Sequence, residues 1–161
     1  MLPPVSRVER YFPTRAGKPA RVLLVNPVQD ISVPPLDFLK LSTFLRNRGY
    51  KSVLQTGAPK KITVQPYAIV LTSVFSWEIP DLRRALGDVR RIWPRVTTIL
   101  SGVLPRKLGD KVQSELGVSV LDEASEALLD EEIPDYGLAP KWTRPLLLPR
   151  YYLERDLSPR V

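Results

Sequence analysis

Residues 67–102 run in the order strand, turn, amphipathic helix, strand, small-residue turn, which commits the chain to parallel strands joined by a helical crossover. The runs at 68–71 (AIVL) and 97–100 (TTIL) show none of the polar–apolar alternation of a half-exposed strand, so both read as strands buried on two faces. Each stops abruptly in small or hydroxyl residues: Thr72, Ser73 and Ser76 after the first, Ser101 and Gly102 after the second. Ligands of open parallel sheets bind outside such carboxyl ends.

The rest of the chain repeats the alternation. Strands are predicted at 21–25, 51–54 and 118–121. Leu36, Leu39, Leu41, Phe44 and Leu45 recur at near-helical spacing up to Gly49, and Leu82, Leu86, Val89 and Trp93 do so after Pro80. Further helices are predicted at 107–116, stopped by Gly117, and at 123–130. Gly57, Pro59 and Pro66 make the link between the second and third strands a loop. The string implies an α/β fold with a flavodoxin-like (Rossmann-like) five-stranded parallel sheet, order 2-1-3-4-5, helices on both faces. Residues 1–20, punctuated by prolines, read as an extended arm, 21–133 as the α/β domain, and 134–161 as a proline-rich linker or docking tail.

With 161 residues there is room for one such domain and no second catalytic one. The absence of cysteine excludes disulfides, thiol nucleophiles and cysteine-held iron–sulfur clusters, and the absence of histidine removes the commonest general base and metal ligand. The net charge of +7 suits an anionic ligand, nucleic acid or simple solubility. Neither a signal-peptide pattern nor a membrane-length apolar run occurs, so a cytoplasmic protein is expected.

The turns exclude several occupants of this fold. Asn26-Pro27-Val28-Gln29-Asp30 contains no glycine, against a dinucleotide fingerprint or P-loop, and Thr72-Ser73 stands where a phosphoacceptor domain needs aspartate. What remains is an apolar mouth. Val33 and Pro34 line it from the first loop, Val74, Phe75 and Trp77 from the third, and Val103 and Leu104 from the fourth, with hydroxyls at Thr72, Ser73, Ser76 and Ser101. From these residues alone, a pocket for a large flat ligand and simple helix-on-sheet packing by Phe75 and Trp77 are equally served. Glu78 and Glu126 fall near helix starts, where a carboxylate meets the helix dipole. Arg83, Arg84, Arg90 and Arg91 read as a solvated helix face, since no aromatic ladder of the kind used by single-stranded nucleic acid accompanies them.

The segments RVLLVNP, PPLDFLKLSTFLRNRGYKSVLQTG, TSVFSWEIPDLRRAL, ILSGVLP, LDEASEALLDE and IPDYGL resemble, in order and spacing, the N-terminal cobalamin-binding domain of cobalamin-dependent radical SAM proteins, across residues 20–142. The resemblance tips the mouth towards a corrinoid pocket, in a family whose corrin often takes no protein histidine. It implies Asn26, Pro27, Val33 and Pro34 beside the corrin, Thr72, Ser73, Val74, Phe75, Ser76 and Trp77 around its edge, and Ser101, Gly102 and Val103 beside the nucleotide tail. Ser101-Gly102 stands where the family commonly has Gly-Gly, and Asp122, Glu123 and Glu126 match its Glu-rich turn. In the family, IPDY and a further strand lead to a cysteine triad that holds an iron–sulfur cluster and binds S-adenosylmethionine. Residues 145–150 resemble the start of that strand, yet no cysteine follows. The resemblance thus implies a cobalamin-binding module that is not itself an enzyme and that presents the cofactor to a radical SAM catalytic domain or partner chain. The alternative is a cofactor-free interaction or scaffold domain that contacts protein or RNA through its basic helix and tail.

Overall fold

Alternate strand residues feed two separate cores, which is why residues 22–25, 68–71 and 99–100 are apolar at consecutive positions. The computed structural model describes residues 5–27, 36–72 and 79–138, without the side chains of Val103, Leu104, Arg106 and Val112. Its strands are β1 (Ala20–Asn26), β2 (Tyr50–Thr56), β3 (Ala68–Thr72), β4 (Thr97–Ser101) and β5 (Ser119–Val120). They form one parallel sheet in the order β2-β1-β3-β4-β5, the flavodoxin-like arrangement. The helices are α1 (Arg7–Tyr11), α2 (Leu36–Asn47), α3 (Ile79–Ile92), α4 (Val103–Leu108), α5 (Asp110–Leu116) and α6 (Glu123–Asp130).

On one face Val22, Leu24, Val70 and Ile99 meet Val8 and Phe12 of the N-terminal segment, Phe38, Leu41, Phe44 and Leu45 of α2, and Leu129 of α6. On the other, Leu23, Val25, Ile69, Leu71 and Leu100 meet Leu82, Ala85, Leu86 and Val89 of α3, with Trp93 closing the end. Burying a Val, Leu, Ile or Phe side chain contributes about 1.5–3 kcal/mol, so these two layers dominate the stability of the sheet.

Two expectations change. Residues 1–20 are not simply extended, because Ser6 and Glu9 form a capping box that starts α1: the Ser6 N–H and hydroxyl donate to Glu9 at 3.0 and 2.8 Å. Val8 and Phe12 are fully buried, and Pro13, which cannot continue a helix, follows. The helix predicted at 107–116 is two helices. Gly109, at φ 45° and ψ −119°, is a backbone state for glycine alone and breaks the run between α4 and α5.

Polar contacts hold α1 against β5 and α6. The Val8 N–H donates to the Ser125 hydroxyl at 2.9 Å, and the Arg7 guanidinium donates to the Val120 carbonyl at 2.8 Å. Asp122 caps α6 through the Ser125 N–H at 3.0 Å and also accepts from the Arg7 N–H at 3.4 Å. Burial pushes the Asp122 pKa up, but hydrogen bonds from the Ser125 side chain and backbone, with Arg7, outweigh it and hold the carboxyl below its ordinary value. Bonds from Ser6 hold Glu9 below its ordinary value too. Depressed carboxyl pKa values add stability that is complete above the unfolded values near pH ~4 and is lost as pH falls through the folded ones. Thermal midpoints should therefore drop below about pH 4 in the wild type and drop less in Asp122→Asn. An equal acid slope in both proteins would show that Asp122 adds nothing to these contacts.

Candidate functional site

Parallel strands in the observed order bring the carboxyl ends of β1, β3 and β4 side by side. The ladder pairs Val25 with Leu71, Leu71 with Leu100, and Thr72 with Ser101. Asn26, Thr72 and Ser101 are therefore the last residues of three neighbouring strands, in one row across the sheet edge. Strand alternation puts all three on the side of Val22, Leu24, Val70 and Ile99, which is the side covered by α2 and α6. The row spans the point where the chain order reverses between β1 and β3, the usual ligand position in such sheets.

Thr72 and Ser101 are each 3% exposed, and neither hydroxyl has a hydrogen-bond partner among the described residues. A buried hydroxyl left unsatisfied costs about 1–3 kcal/mol, so two of them on paired residues are a standing demand for a donor or acceptor from elsewhere. Next to Ser101, Gly102 is buried at φ 104° and turns the chain straight into α4 with no side-chain cap. The serine that replaces the first glycine of the resembled Gly-Gly turn thus keeps its side chain inside the sheet face, and the backbone at Gly102 carries none. Pro27 is buried behind Asn26, whose carbonyl accepts from the Gly57 N–H at 2.8 Å.

Of the residues expected in the site, Asn26, Pro27, Thr72, Ser101 and Gly102 are thus gathered at one edge. The backbone of Val103 opens α4 at the same place. Val33, Pro34, Ser73, Val74, Phe75, Ser76 and Trp77 lie outside the described residues, as does Glu78. Glu126 sits in the first turn of α6, but the cap itself is Asp122.

Two features were not evident from sequence. Residues 134–138, assigned to the tail, pack against α2: the Asp135 N–H donates to the Leu39 carbonyl at 2.9 Å, and the Asp135 carboxylate accepts from the Ser42 hydroxyl at 2.8 Å and pairs with Arg46 at 3.6 Å. Tyr136 and Leu138 cover Leu39 and Leu36, closing the first turns of α2 that rise beside the site. The IPDY tetrapeptide was the available signal, through its Asp135. On α3, Arg84 pairs with Asp81 at 3.2 Å, Arg91 with Asp88 at 2.9 Å and Arg83 with Glu115 at 3.7 Å, while Arg90 donates to the Leu116 carbonyl. The arginine face of this helix is thus largely neutralised by its own neighbours. Among the described residues, no helix is long and apolar enough to cross a membrane.

No protein-family model matches the chain, and no curated protein matches it.

Proposed function

We propose that the chain is a corrinoid-binding module that holds cobalamin over the carboxyl edge of its sheet and offers it to a radical SAM catalytic domain or partner chain. The observation that carries this reading is the pair of buried hydroxyls without partners, Thr72 and Ser101, set together at the end of β3 and β4. A cofactor with polar groups along a flat apolar body would satisfy both while lying over the adjoining Gly102 backbone, where no Cβ stands in the way. Bound there, the corrin supplies cobalt chemistry. Thr72 and Ser101 would hold and orient its polar groups, Asn26 would flank them, and α2, braced by Asp135, would form the wall. The ordered sequence segments that resemble the cobalamin-binding domain supply the identity of the ligand.

The hydroxyls give the reading a test with opposite signs. Replacing a buried, unsatisfied hydroxyl with an apolar group of similar shape relieves its desolvation penalty. The Thr72→Val/Ser101→Ala variant should therefore be more stable than wild type without ligand, by up to about 1–3 kcal/mol for each hydroxyl removed, in urea denaturation. After incubation with hydroxocobalamin and desalting, it should also retain much less of the visible corrin absorbance. Wild-type protein that emerges colourless would overturn the corrinoid reading and favour the cofactor-free interaction domain. A variant that retains as much corrinoid as wild type would remove the two hydroxyls from the site. Gly102 is a poorer place for the test, because any side chain at φ 104° adds backbone strain of about 1–3 kcal/mol to whatever it does to the ligand.

A further inference from the structure

The opposite edge of the sheet carries a second surface, chemically unlike the first. Where β1 and β3 begin, a groove of about 430 Å³ is lined by Arg15, Lys18, Arg21, Val64, Gln65 and Tyr67. Its size lies within the range of about 300–1,000 Å³ typical of ligand sites. Three cations line it and no acid does. Six other described cations, Arg7, Lys40, Arg46, Arg83, Arg84 and Arg91, each have a carboxylate partner. Arg15, Lys18 and Arg21 have none among the described residues. Beside Arg21 in the β1–β2 ladder stands another cation, Lys51, on the same face of the sheet. Like charges on paired positions destabilise a sheet, so this edge keeps a repulsion that an anion would relieve.

The groove also holds an aromatic platform. Tyr67 is 41% exposed although its ring lies 5.2 Å from that of Tyr50 and 6.2 Å from that of Phe12. Its hydroxyl donates to the Tyr11 carbonyl at 3.2 Å, which fixes the ring. The Arg15 guanidinium lies 5.7 Å from the ring centres of both Tyr50 and Tyr67. A partner recognised by charge alone would need the cations but not an exposed ring beside them. A flexible chain of phosphates and planar bases uses both.

We propose that this groove binds single-stranded nucleic acid, with phosphates at Lys18 and Arg21 and a base stacked against Tyr67 and Arg15. It lies at the far end of the strands from Thr72 and Ser101, about 20 Å away for the seven residues of β1. The inference therefore stands or falls independently of the corrinoid reading.

The test is fluorescence anisotropy of the full chain with a short fluorescein-labelled oligouridylate and, in a second arm, the matching oligodeoxythymidylate. Binding should weaken with salt at a log–log slope of about −1.4 for two neutralised phosphates on a single strand. Lys18→Ala/Arg21→Ala, two changes at the surface, should lose at least tenfold in affinity and make the slope shallower by about 1.4. Tyr67→Leu should lose about 5- to 150-fold, the range of one base–aromatic stack. Arg84→Ala/Arg91→Ala on α3 should bind as wild type does. Preference for one of the two oligonucleotides would identify the natural ligand as RNA or DNA. Unchanged affinity in Lys18→Ala/Arg21→Ala would overturn the proposal, as would equal affinity for a duplex of the same length, since a paired base cannot stack on Tyr67.

Discussion

Phe12→Ala is expected to cost about 3–5 kcal/mol, the range for emptying a fully buried aromatic site. Phe12 has no exposed surface, meets Tyr50 edge-on with ring centres 5.5 Å apart, and lends its carbonyl to the Arg48 side chain at 2.7 Å. Neighbouring carbonyls are tied in as well, with the Tyr50 hydroxyl donating to Pro13 at 2.7 Å. Domain stabilities are about 5–15 kcal/mol, so this single change should remove about a fifth or more of the total. At a urea dependence of about 2 kcal/mol per molar, the unfolding midpoint should fall by about 1.5–2.5 M. A fall of less than about 0.5 M would mean that the N-terminal segment rests on the core without belonging to it.

The second large effect is expected at the end of α2. Gly49 adopts φ 92°, and a Cβ there would collide with the Arg15 carbonyl oxygen, a backbone atom that cannot swing aside. The same crossing is held by a hydrogen bond from the Arg15 N–H to the Arg48 carbonyl at 3.0 Å. Gly17 supplies the control, since its φ of 87° is nearly the same but open space surrounds its missing Cβ. Gly17→Ala should cost only the left-handed strain, about 1–2 kcal/mol. Gly49→Ala should cost at least about 2 kcal/mol more, because the N-terminal segment must move off α2 to admit the methyl. Equal losses in the two variants, measured by urea denaturation, would show that the crossing yields without cost.

Strands β1, β3 and β4 could be read from sequence to within one or two residues because their central positions are buried on both faces, which forces a run of apolar residues there. The edge strand β5 pairs along only two residues, against the four expected, because a short edge needs no more than the Leu100–Val120 step to register it. For α1 the difficulty was length: five residues show no period, and prolines flank them, so propensity argues against a helix. The serine and glutamate three positions apart were the legible sign, and the capping box they form overrides the propensity. Gly109 gave no such sign, since a glycine at that place reads equally well as a tolerated interior residue.

At the candidate site, the residue types at the strand ends pointed to the edge. Their convergence did not follow from types alone. That Thr72 and Ser101 stand side by side and face α2 depends on register, because a shift of one residue would turn either hydroxyl to the α3 side. Nor does sequence tell a satisfied buried hydroxyl from an unsatisfied one. That distinction depends on what the opposite elements offer, and none of the described residues bonds to either hydroxyl here.

The attachment of α1 to α6 also bears on how each copy of the protein is made. Val8 and its hydrogen-bond partner Ser125 are 117 residues apart. At about 5–20 residues per second, the ribosome takes about 6–23 s to supply the second after the first. Throughout that interval the nascent chain carries Val8 without its seat, while the strands that pair early are already available to collapse upon. This early-made segment therefore settles only after α6 has emerged, however quickly the strands made between them pair.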